Sequence, residues 1–273
     1  YGIGDTLDDF EKIGVKTYVQ EDLRIFPEEN KASFVRKKLL EALNGKIKFV
    51  NTEIKNFPQG FDAVILATGL KSGALLPQSI GHKIIPLKSS LCGLKIREKE
   101  FLALEGVSFN GVVFTKDGVS GPFIYKLSSI NAYKEFPYEI KIPLLDTKEL
   151  VKKTAENPKK LFKNVVSEFI PKSLADLIVK SDKQCANTSK KEIEEISFLA
   201  LTAEDIDGRG EIVHAGGVSL DEVDRNLKSK IKENLWIIGE VLDTDGFTGG
   251  FNLQNCWSTA AIAAKDIAEK FKG

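Results

Sequence analysis

Apolar and polar positions in the first quarter of the chain follow the periods of short helices and strands. Helical spacing predicts a helix over 6–13 and a second helix over Asn30–Leu43, with Asn30 as the N-cap candidate. The following Asn44-Gly45 ends the second helix. Runs of β-forming residues predict short strands at Lys16–Gln20, Leu23–Phe26, Ile47–Val50, Glu53–Phe57 and Phe61–Leu66.

The run Phe61–Leu66 is followed by three small residues, Ala67, Thr68 and Gly69. An apolar run of this kind is typical of a strand buried on both faces of a parallel sheet. Open α/β sheets bind ligands beyond the carboxyl ends of such strands, where small residues let a cofactor approach the backbone. A strand that simply ends in a turn is an equally good interpretation of this tripeptide alone.

The pattern changes in the middle of the chain. Short β segments broken by glycines extend from about Leu87 to Leu145, and a lysine-rich helical block extends from about Thr147 to Ile196. One apolar stripe of this block consists of Leu161, Phe162, Val165, Val166 and Phe169. We interpret the middle as an insertion and predict an α/β domain over 1–86, an inserted β plus helical domain over 87–205, and a return segment over 206–273.

The strongest chemical signal lies in the return segment. The apolar run Leu235–Ile238 stops at Gly239-Glu240, an acidic glycine-rich loop follows, and a helix begins just after Gly249-Gly250 and continues to about Phe271. Free N–H groups at a helix start, together with the helix dipole, favour an electron-rich acceptor such as a flavin carbonyl or a phosphate. The Glu240 carboxylate could accept hydrogen bonds from a chain of hydroxyls. The alternative is a helix cap with a flexible loop.

Weaker signals accompany it. Gly216-Gly217 follow a strand predicted at Glu211–His214, and a β-bulge or tight turn explains them as well as a ligand does. The segment Thr115–Pro122 is either a substrate-side loop or a turn between strands. We expect His214 to serve in packing or hydrogen bonding rather than in acid–base catalysis, and Cys256 to be a small core residue rather than a nucleophile.

The composition of the chain limits the kinds of partner and ligand that we expect. The 273 residues are 42% hydrophobic and 29% charged, and 39 basic residues balance 39 acidic ones. A chain without net charge lacks the field that draws in polyanions, so we expect no nucleic-acid partner. Three scattered cysteines and two histidines indicate neither a disulfide framework nor a metal site and fit a reducing cytoplasm. No apolar stretch reaches the roughly 18 residues of a membrane span, and we predict neither a membrane association nor a signal peptide.

The chain opens with Tyr1-Gly2-Ile3-Gly4 and contains no methionine. Both features are unusual for a natural sequence of this size. We therefore expect that the sequence begins inside a longer gene product and that methionines have been lost from it.

Taken together, the motifs resemble the bacterial BaiN-like flavoproteins, a family of NAD(P)/FAD-dependent or aminoacetone oxidase-like oxidoreductases. The last two of the matching stretches carry most of the weight. These stretches are Lys16–Asp22, Phe26–Ser33, Val64–Gly69, Gly81-His82, Gly118–Pro122, Ala215–Ser219 and Gly239–Gln254.

The resemblance implies an α/β fold with a Rossmann-like FAD-binding domain that the middle domain interrupts. It also implies roles for individual residues, all of them toward FAD. Ile54 would meet the adenine, Ala67-Thr68-Gly69 would flank the adenosine and pyrophosphate, and Gly239-Glu240 would lie by the ribityl chain. Gly216-Gly217 would line the flavin ring. The backbone of the last helix start would hold that ring through Gly249, Gly250, Phe251, Asn252, Leu253 and Gln254.

The implied activity is FAD-dependent oxidation or reduction of a small organic molecule, with hydride transfer through flavin N5. NAD(P)H is a possible electron donor, and the inserted domain would form one wall of the substrate pocket. No catalytic side chain is assigned. The sequence departs from the family in lacking a G-x-G-x-x-G turn after an initial strand, and in carrying Lys116 where the family has a histidine.

Two other interpretations stay open. The missing phosphate-binding turn is compatible with a truncated, non-catalytic flavoprotein fragment or binding module. The lysine pairs Lys152-Lys153 and Lys159-Lys160 suggest a flavin-dependent RNA-modifying enzyme, although the balanced charge and a simple solvated helical face argue against it.

Overall fold

The computed structural model describes residues 1–70, 73–208 and 213–272. The chain divides into two compact units, the first formed by 1–88 and 214–273 and the second by 89–213. The helices are α1 (Ile3–Lys12), α2 (Ala32–Leu43), α3 (Leu75–Ser79), α4 (Pro122–Ile130), α5 (Thr147–Glu156), α6 (Phe162–Val166), α7 (Lys172–Ile178), α8 (Lys190–Glu195) and α9 (Phe251–Lys270). The strands are β1 (Thr17–Val19), β2 (Ile25–Pro27), β3 (Val64–Leu66), β4 (Ile84–Ser90), β5 (Gly93–Ile96), β6 (Ser108–Phe109), β7 (Val112–Phe114), β8 (Gly118–Ser120), β9 (Tyr138–Pro143), β10 (Phe198–Asp207), β11 (Val213–Val218) and β12 (Leu235–Ile237).

The first unit is organised around the parallel pair β12 and β3, in which Leu235 lies opposite Val64 and Ile237 opposite Leu66. Side chains of β12 are fully buried on both faces of the strand. Leu235 and Ile237 pack with Val218, Val241 and Leu242 on one face. Trp236 packs with Ala263 of α9 on the other. The expectation that the run ending at Leu66 forms a strand with a parallel neighbour is therefore confirmed.

Burial on both faces, predicted for the run ending at Leu66, is wrong for β3 itself. Leu66 is buried, but Ile65 on the opposite face is 45% exposed. Trp236 of the neighbouring strand packs against Ala260, Ala263 and Ile267 of α9, and Ile65 is not part of that cluster. The strand of this pair that is buried on both faces is β12.

The predicted strands at Ile47–Val50 and Glu53–Phe57 are also wrong. The structure has neither helix nor strand between Leu43 and Val64, and the side chains of Phe49 and Val50 are more than 60% exposed. A strand must pair its N–H and C=O groups with a neighbouring strand, and among the described residues no strand pairs with this segment. The apolar residues alone do not create the element.

The helix and hairpin predictions at the start of the chain are confirmed, apart from the starts of the two helices. β1 and β2 form an antiparallel hairpin, and α1 begins three residues before the predicted start. Asn30, however, is not the N-cap of α2. It adopts φ +48°, a left-handed conformation that asparagine tolerates better than most residues, and the extended Lys31 is the N-cap.

The second unit contains a six-stranded sheet in the order β6-β7-β8-β5-β10-β9, with antiparallel neighbours. Helices α5 to α8 follow β9 in the chain and contribute to the core, in the region predicted to be helical. The region predicted as short β segments also contains the helix α4, and the strand β10 follows the helices, so the predicted order of strands before helices holds only in part. Phe162, Val165 and Val166 of the predicted stripe are buried, whereas Leu161 is 38% exposed. The long strand β10 was not predicted, although Leu199, Leu201 and Ala203 alternate with exposed residues as a strand requires.

Among the described residues, no helix combines the length and the apolar character needed to cross a membrane.

Candidate functional site

Two of the predicted segments meet at one edge of the parallel pair. Ala67-Thr68-Gly69 follows β3, and Gly239-Glu240 follows β12, so parallel pairing brings both to the carboxyl ends of the strands. The Ile238 N–H donates to the Leu66 carbonyl at 3.0 Å and ties the two strand ends together. A Cβ atom on Gly69 would lie 3.5 Å from Oε2 of Glu240. The glycine therefore leaves the half-buried carboxylate open on this side.

The last helix begins beside this edge, because α9 packs against the turn Gly239–Val241. Its N-cap, Gly250, has φ +90°, and open space surrounds the position that a Cβ would take there. The first helical hydrogen bond runs from the Gln254 N–H to the Gly250 carbonyl. The N–H groups of Phe251 to Leu253 precede it and have no acceptor in the described part of the chain. They are the free donors that the sequence predicted at this end.

Two of the residues predicted at this helix start form side-chain hydrogen bonds with neighbouring parts of the first unit. Asn252 accepts a hydrogen bond from the Gly246 N–H at 2.7 Å and donates one to the Gly246 carbonyl at 3.0 Å. Gln254 donates from Nε2 to Thr6 of α1 and to Ser258, each at 3.0 Å. The Asn252 side chain therefore joins the start of α9 to the loop at Gly246, and the Gln254 side chain joins it to α1.

Gly216 and Gly217 lie in β11, and the structure explains both glycines by close backbone contacts. A Cβ on Gly216 would lie 2.5 Å from the Pro86 carbonyl oxygen, and one on Gly217 would lie 2.6 Å from the Val241 carbonyl oxygen. Both residues have positive φ, at +99° and +122°. They let β11 pack between β4 and the turn after β12. Contact with a flavin ring stays a prediction for these two residues.

Asp243 is a residue at this edge that sequence reasoning did not single out. Its N–H donates to the Val218 carbonyl at 2.9 Å, and its carboxylate accepts the Gly216 N–H. Burial raises the pKa of Asp243, and the neighbouring Asp245 carboxylate adds to the rise. The sequence feature that could have pointed to Asp243 is the acidic loop that follows Gly239-Glu240.

Cys256 corrects another expectation. It is exposed rather than part of a core, and its Sγ atom lies 3.4 Å from the position of a Cβ on Gly239. Desolvation by its surroundings raises the pKa of the thiol, and the Glu240 carboxylate contributes to the rise. Cys256 faces the turn Gly239–Val241 and not the protein interior, because this turn lies against the first turns of α9.

The remaining predicted residues lie apart from this edge. Ile54 is 54% exposed in the segment between α2 and β3, and no described contact joins it to the others. Thr115 and Gly118 exchange backbone hydrogen bonds across the β7–β8 turn, which favours the turn interpretation of that loop. His214 is half-buried in β11. Among the described residues, no group of three or more acidic, histidine or cysteine side chains is arranged to hold a metal ion.

Comparison with known proteins identifies the family. A family profile described as the HI0933-like protein Rossmann domain matches residues 1–266, nearly the whole chain. The chain belongs to this family. Membership in the HI0933-like family confirms the resemblance drawn from the sequence motifs and the Rossmann-like α/β fold class.

Curated relatives carry two different names. The chain is 26% identical, over an alignment 333 positions long, to a 3-dehydro-bile acid delta(4,6)-reductase of Clostridium scindens, covering 99% of this chain and 81% of that protein. It is 28% identical over 227 residues to a ribosomal RNA dihydrouridine synthase of Haemophilus influenzae, covering 72% of this chain and 56% of the relative. An Escherichia coli protein of the same name is 25% identical over 252 residues, covering 79% and 63%. The chain thus spans less than two thirds of the two synthases, and their names leave the expectation of no nucleic-acid partner without support.

Proposed function

We propose that this protein is an FAD-dependent oxidoreductase that reduces a carbon–carbon double bond conjugated to a carbonyl group. The observation that carries the proposal is the meeting of Glu240, Gly69 and the free amides of α9 at the carboxyl end of the parallel strands. Open α/β folds bind dinucleotides at this position. Membership in a Rossmann-domain family supports the same assignment.

The residues at this edge fit the chemistry of a flavin. The Glu240 carboxylate is an acceptor suited to hydroxyl groups of the ribityl chain, and Gly69 leaves it open. The amides of Phe251, Asn252 and Leu253 are donors suited to a ring carbonyl, and the helix dipole strengthens them. Gly250 keeps a side chain out of this position. Adenine contact by Ile54 has the least support, because that side chain lies in an irregular exposed segment.

Bound FAD would supply a hydride at N5, with a nicotinamide cofactor as the proposed source of electrons. The chain's own residues would bind and orient the cofactor. Asn252, through its two hydrogen bonds to Gly246, fixes the loop that precedes the donors, and Thr6 fixes Gln254 from the side of α1. Preorganised donors of this kind stabilise negative charge without reorganisation during the reaction.

The names of the relatives support the reaction class. Conversion of a uridine to dihydrouridine adds two hydrogens to a double bond conjugated to a carbonyl. A delta(4,6)-reductase acting on a 3-dehydro-bile acid adds hydrogen to double bonds that are conjugated with a ring ketone. One chemistry, hydride addition to one carbon and proton addition to its neighbour, serves both substrates. A cytoplasmic location is part of the proposal.

An absorbance spectrum tests the cofactor. The purified protein is mixed with excess FAD, freed of unbound FAD and scanned in the visible range. We expect the two bands of an oxidised flavin, and release of FAD on denaturation. Glu240→Gln keeps the shape of the side chain but removes its charge and is expected to weaken FAD binding about tenfold, since charge-assisted hydrogen bonds are the stronger ones. Glu233→Gln alters an exposed carboxylate before β12 and is the matched control. A colourless protein that takes up no FAD would instead favour the non-catalytic fragment.

Reduction of a uridine in ribosomal RNA is the second candidate, favoured by the names of two relatives. Its test is incubation of the FAD-loaded protein with unmodified ribosomal RNA and NADPH, followed by measurement of dihydrouridine in the digested RNA. Dihydrouridine that depends on Glu240 would support this candidate. Its absence, with turnover of a small enone by the same preparation, would support a small-molecule substrate.

A further inference from the structure

The strand β9 lies at one edge of the six-stranded sheet of the second unit, and among the described residues it pairs only with β10. In that pair Glu139 lies opposite Thr202. The Thr202 N–H donates to the Glu98 carboxylate, and its carbonyl accepts the Arg97 N–H, so the backbone of Thr202 faces away from β9. Because facing residues of an antiparallel pair alternate between bonded and non-bonded, the backbone groups of Glu139 and Lys141 point away from β10.

These outward-pointing groups form an open edge. Within the described residues, the N–H groups of Glu139 and Lys141 have no backbone acceptor, and their carbonyl groups have no backbone donor. The next outward positions on either side are Pro137 and Pro143, and proline has no N–H to donate. The side chains of Glu139 and Lys141 are 60% and 67% exposed, so water reaches this edge. An exposed strand edge is a template on which another strand can pair.

The order of residues along β9 makes this edge complementary to itself. Two copies of the strand can pair antiparallel about a two-fold axis that passes through Ile140. Glu139 of one copy then faces Lys141 of the other, and the two residues exchange N–H···O=C hydrogen bonds on each side of the axis. Pro137 of one copy faces Pro143 of the other, so each position without an N–H donor meets another such position. The ladder therefore ends at both sides without an unpaired N–H group.

The side chains on the exposed face fit the same pairing. Nζ of Lys141 lies 3.2 Å from Oε1 of Glu139 in its own chain, and in the pair each carboxylate would also lie beside Lys141 of the second copy. Opposite charges that face each other across two strands stabilise the pairing. Phe198 of β10 is 53% exposed and lies opposite Pro143, which adds apolar surface at each end of the charged centre.

We propose that the protein forms a two-fold symmetric dimer in which β9 pairs antiparallel with β9 of a second copy and joins the two six-stranded sheets into one. The proposal does not depend on the proposed function. Charges and prolines on a strand edge oppose pairing with unrelated strands, but in β9 their order lets two identical strands satisfy each other. A single ladder is a small interface, so we expect a reversible dimer with a dissociation constant on the order of 10 μM.

The mass of the full chain in solution, measured by sedimentation with FAD present, tests the dimer. We expect mainly monomer at about 1 μM and mainly dimer at about 100 μM, and a monomer at both concentrations would overturn the proposal. Glu139→Lys places like charges opposite each other across the two-fold axis, and so does Lys141→Glu, so each should weaken the dimer about tenfold. Glu204→Lys reverses an exposed carboxylate that pairs with Arg97 away from the edge and is the matched control.

An equimolar mixture of the Glu139→Lys and Lys141→Glu variants tests the register. One variant then carries two outward lysines and the other two outward glutamates, so a mixed dimer regains opposite charges on both sides of the axis. We expect the mixture to dimerise at least as well as the unmodified protein, which would also show that both variants are folded. A mixture that behaves as the sum of its parts, or a Glu139→Lys variant no weaker than the Glu204→Lys control, would overturn the proposal.

Lys141→Pro tests the backbone ladder. It removes an N–H group that has no backbone acceptor within the described chain, and edge strands tolerate proline at such positions, so the fold should be retained. Lys141→Ala removes the same charge and keeps the N–H group. We expect proline to abolish the dimer at about 100 μM and alanine to weaken it only about threefold, with urea midpoints as the check on folding. Equal losses in the two variants would overturn the strand pairing.

Discussion

His82 and Ser229 are 147 residues apart in the chain, and Nε2 of the buried imidazole lies 3.0 Å from the Ser229 hydroxyl oxygen. On its other side, Nδ1 of His82 lies 3.2 Å from Oε2 of Glu222. Serine, histidine and glutamate are also the residue types of a hydrolase triad, but here their role is structural. Ser229 already accepts the N–H groups of Ile231 and Lys232, at 3.1 and 2.8 Å. The Ser229 hydroxyl therefore stabilises the turn that follows it, and its contact with the His82 imidazole connects this turn to the segment after α3.

Stability should fall as the solution becomes acidic because of this histidine. Burial lowers the pKa of His82, and the Glu222 carboxylate opposes the shift without cancelling it. As the pH drops through about 6.5, the unfolded chain binds the proton first, so the free energy of unfolding decreases until the folded-state pKa is passed. Urea unfolding at several pH values measures the slope. His82→Gln should flatten it, and Glu222→Gln should steepen it by removing the opposing charge. A slope unchanged in both variants would contradict the assignment.

Ser229→Ala should destabilise the protein without altering its charge. The substitution leaves the Ile231 and Lys232 N–H groups and the buried His82 without their shared partner. An unsatisfied buried polar group costs about 1–3 kcal/mol. The urea midpoint measures the loss. Ser79→Ala, which removes one exposed hydrogen bond to the Leu76 carbonyl, is the control and should change stability by no more than about 0.5 kcal/mol.

Local patterns predicted those elements whose partners lie close in sequence or whose burial is complete. The β1–β2 hairpin, α2 and α9 follow from periodicity and from glycine stops, because short-range contacts decide them. The strands predicted at Ile47–Val50 and Glu53–Phe57 failed for the opposite reason. A β-forming run becomes a strand only beside a partner, and sequence alone does not supply that partner.

The candidate site was predictable in its backbone but not in its side chains. The carboxyl ends of two apolar runs converge in any parallel pair, so Gly69 and Glu240 could be expected to meet. The pairing of Gln254 with Thr6 spans 248 residues and leaves no local signal. The exposure of Cys256 depends on the turn that α9 packs against, and periodicity along one helix does not determine it.

Asp266→Ala should loosen the contact between α9 and β12. Asp266 accepts a hydrogen bond from the indole N–H of the buried Trp236 at 2.8 Å and one from Asn226 at 2.6 Å. Alanine leaves the indole N–H without a partner, so we expect a loss of about 1–3 kcal/mol in unfolding free energy. Glu269→Ala, at an exposed position nearly one turn further along α9, is the control. Similar urea midpoints for the two variants would show that the indole contact contributes little.

Gly216→Ala and Gly81→Ala form a matched pair that separates strain from crowding. Both glycines have φ +99°, but only Gly216 would place its Cβ against backbone, 2.5 Å from the Pro86 oxygen. Gly81→Ala should cost about 1 kcal/mol from the conformation alone. Gly216→Ala should cost about 3 kcal/mol or more, because β4 and β11 must move apart. Thermal and urea unfolding measure both, and equal losses would refute the close approach as the reason for this glycine.

Thiol reactivity provides a label for the candidate site. Cys256 is exposed, whereas Cys92 and Cys185 are buried, so one thiol of the native protein should react with DTNB and all three should react in urea. The raised pKa of Cys256 keeps its thiolate population below that of a free cysteine, and the reaction should therefore be slow at neutral pH and accelerate as the pH rises. Cys256→Ser should abolish the native reaction. Because the thiol lies beside Gly239 and Glu240, bound FAD is expected to protect it. Unchanged kinetics in an FAD-saturated protein would argue that the cofactor lies elsewhere than the carboxyl ends of β3 and β12.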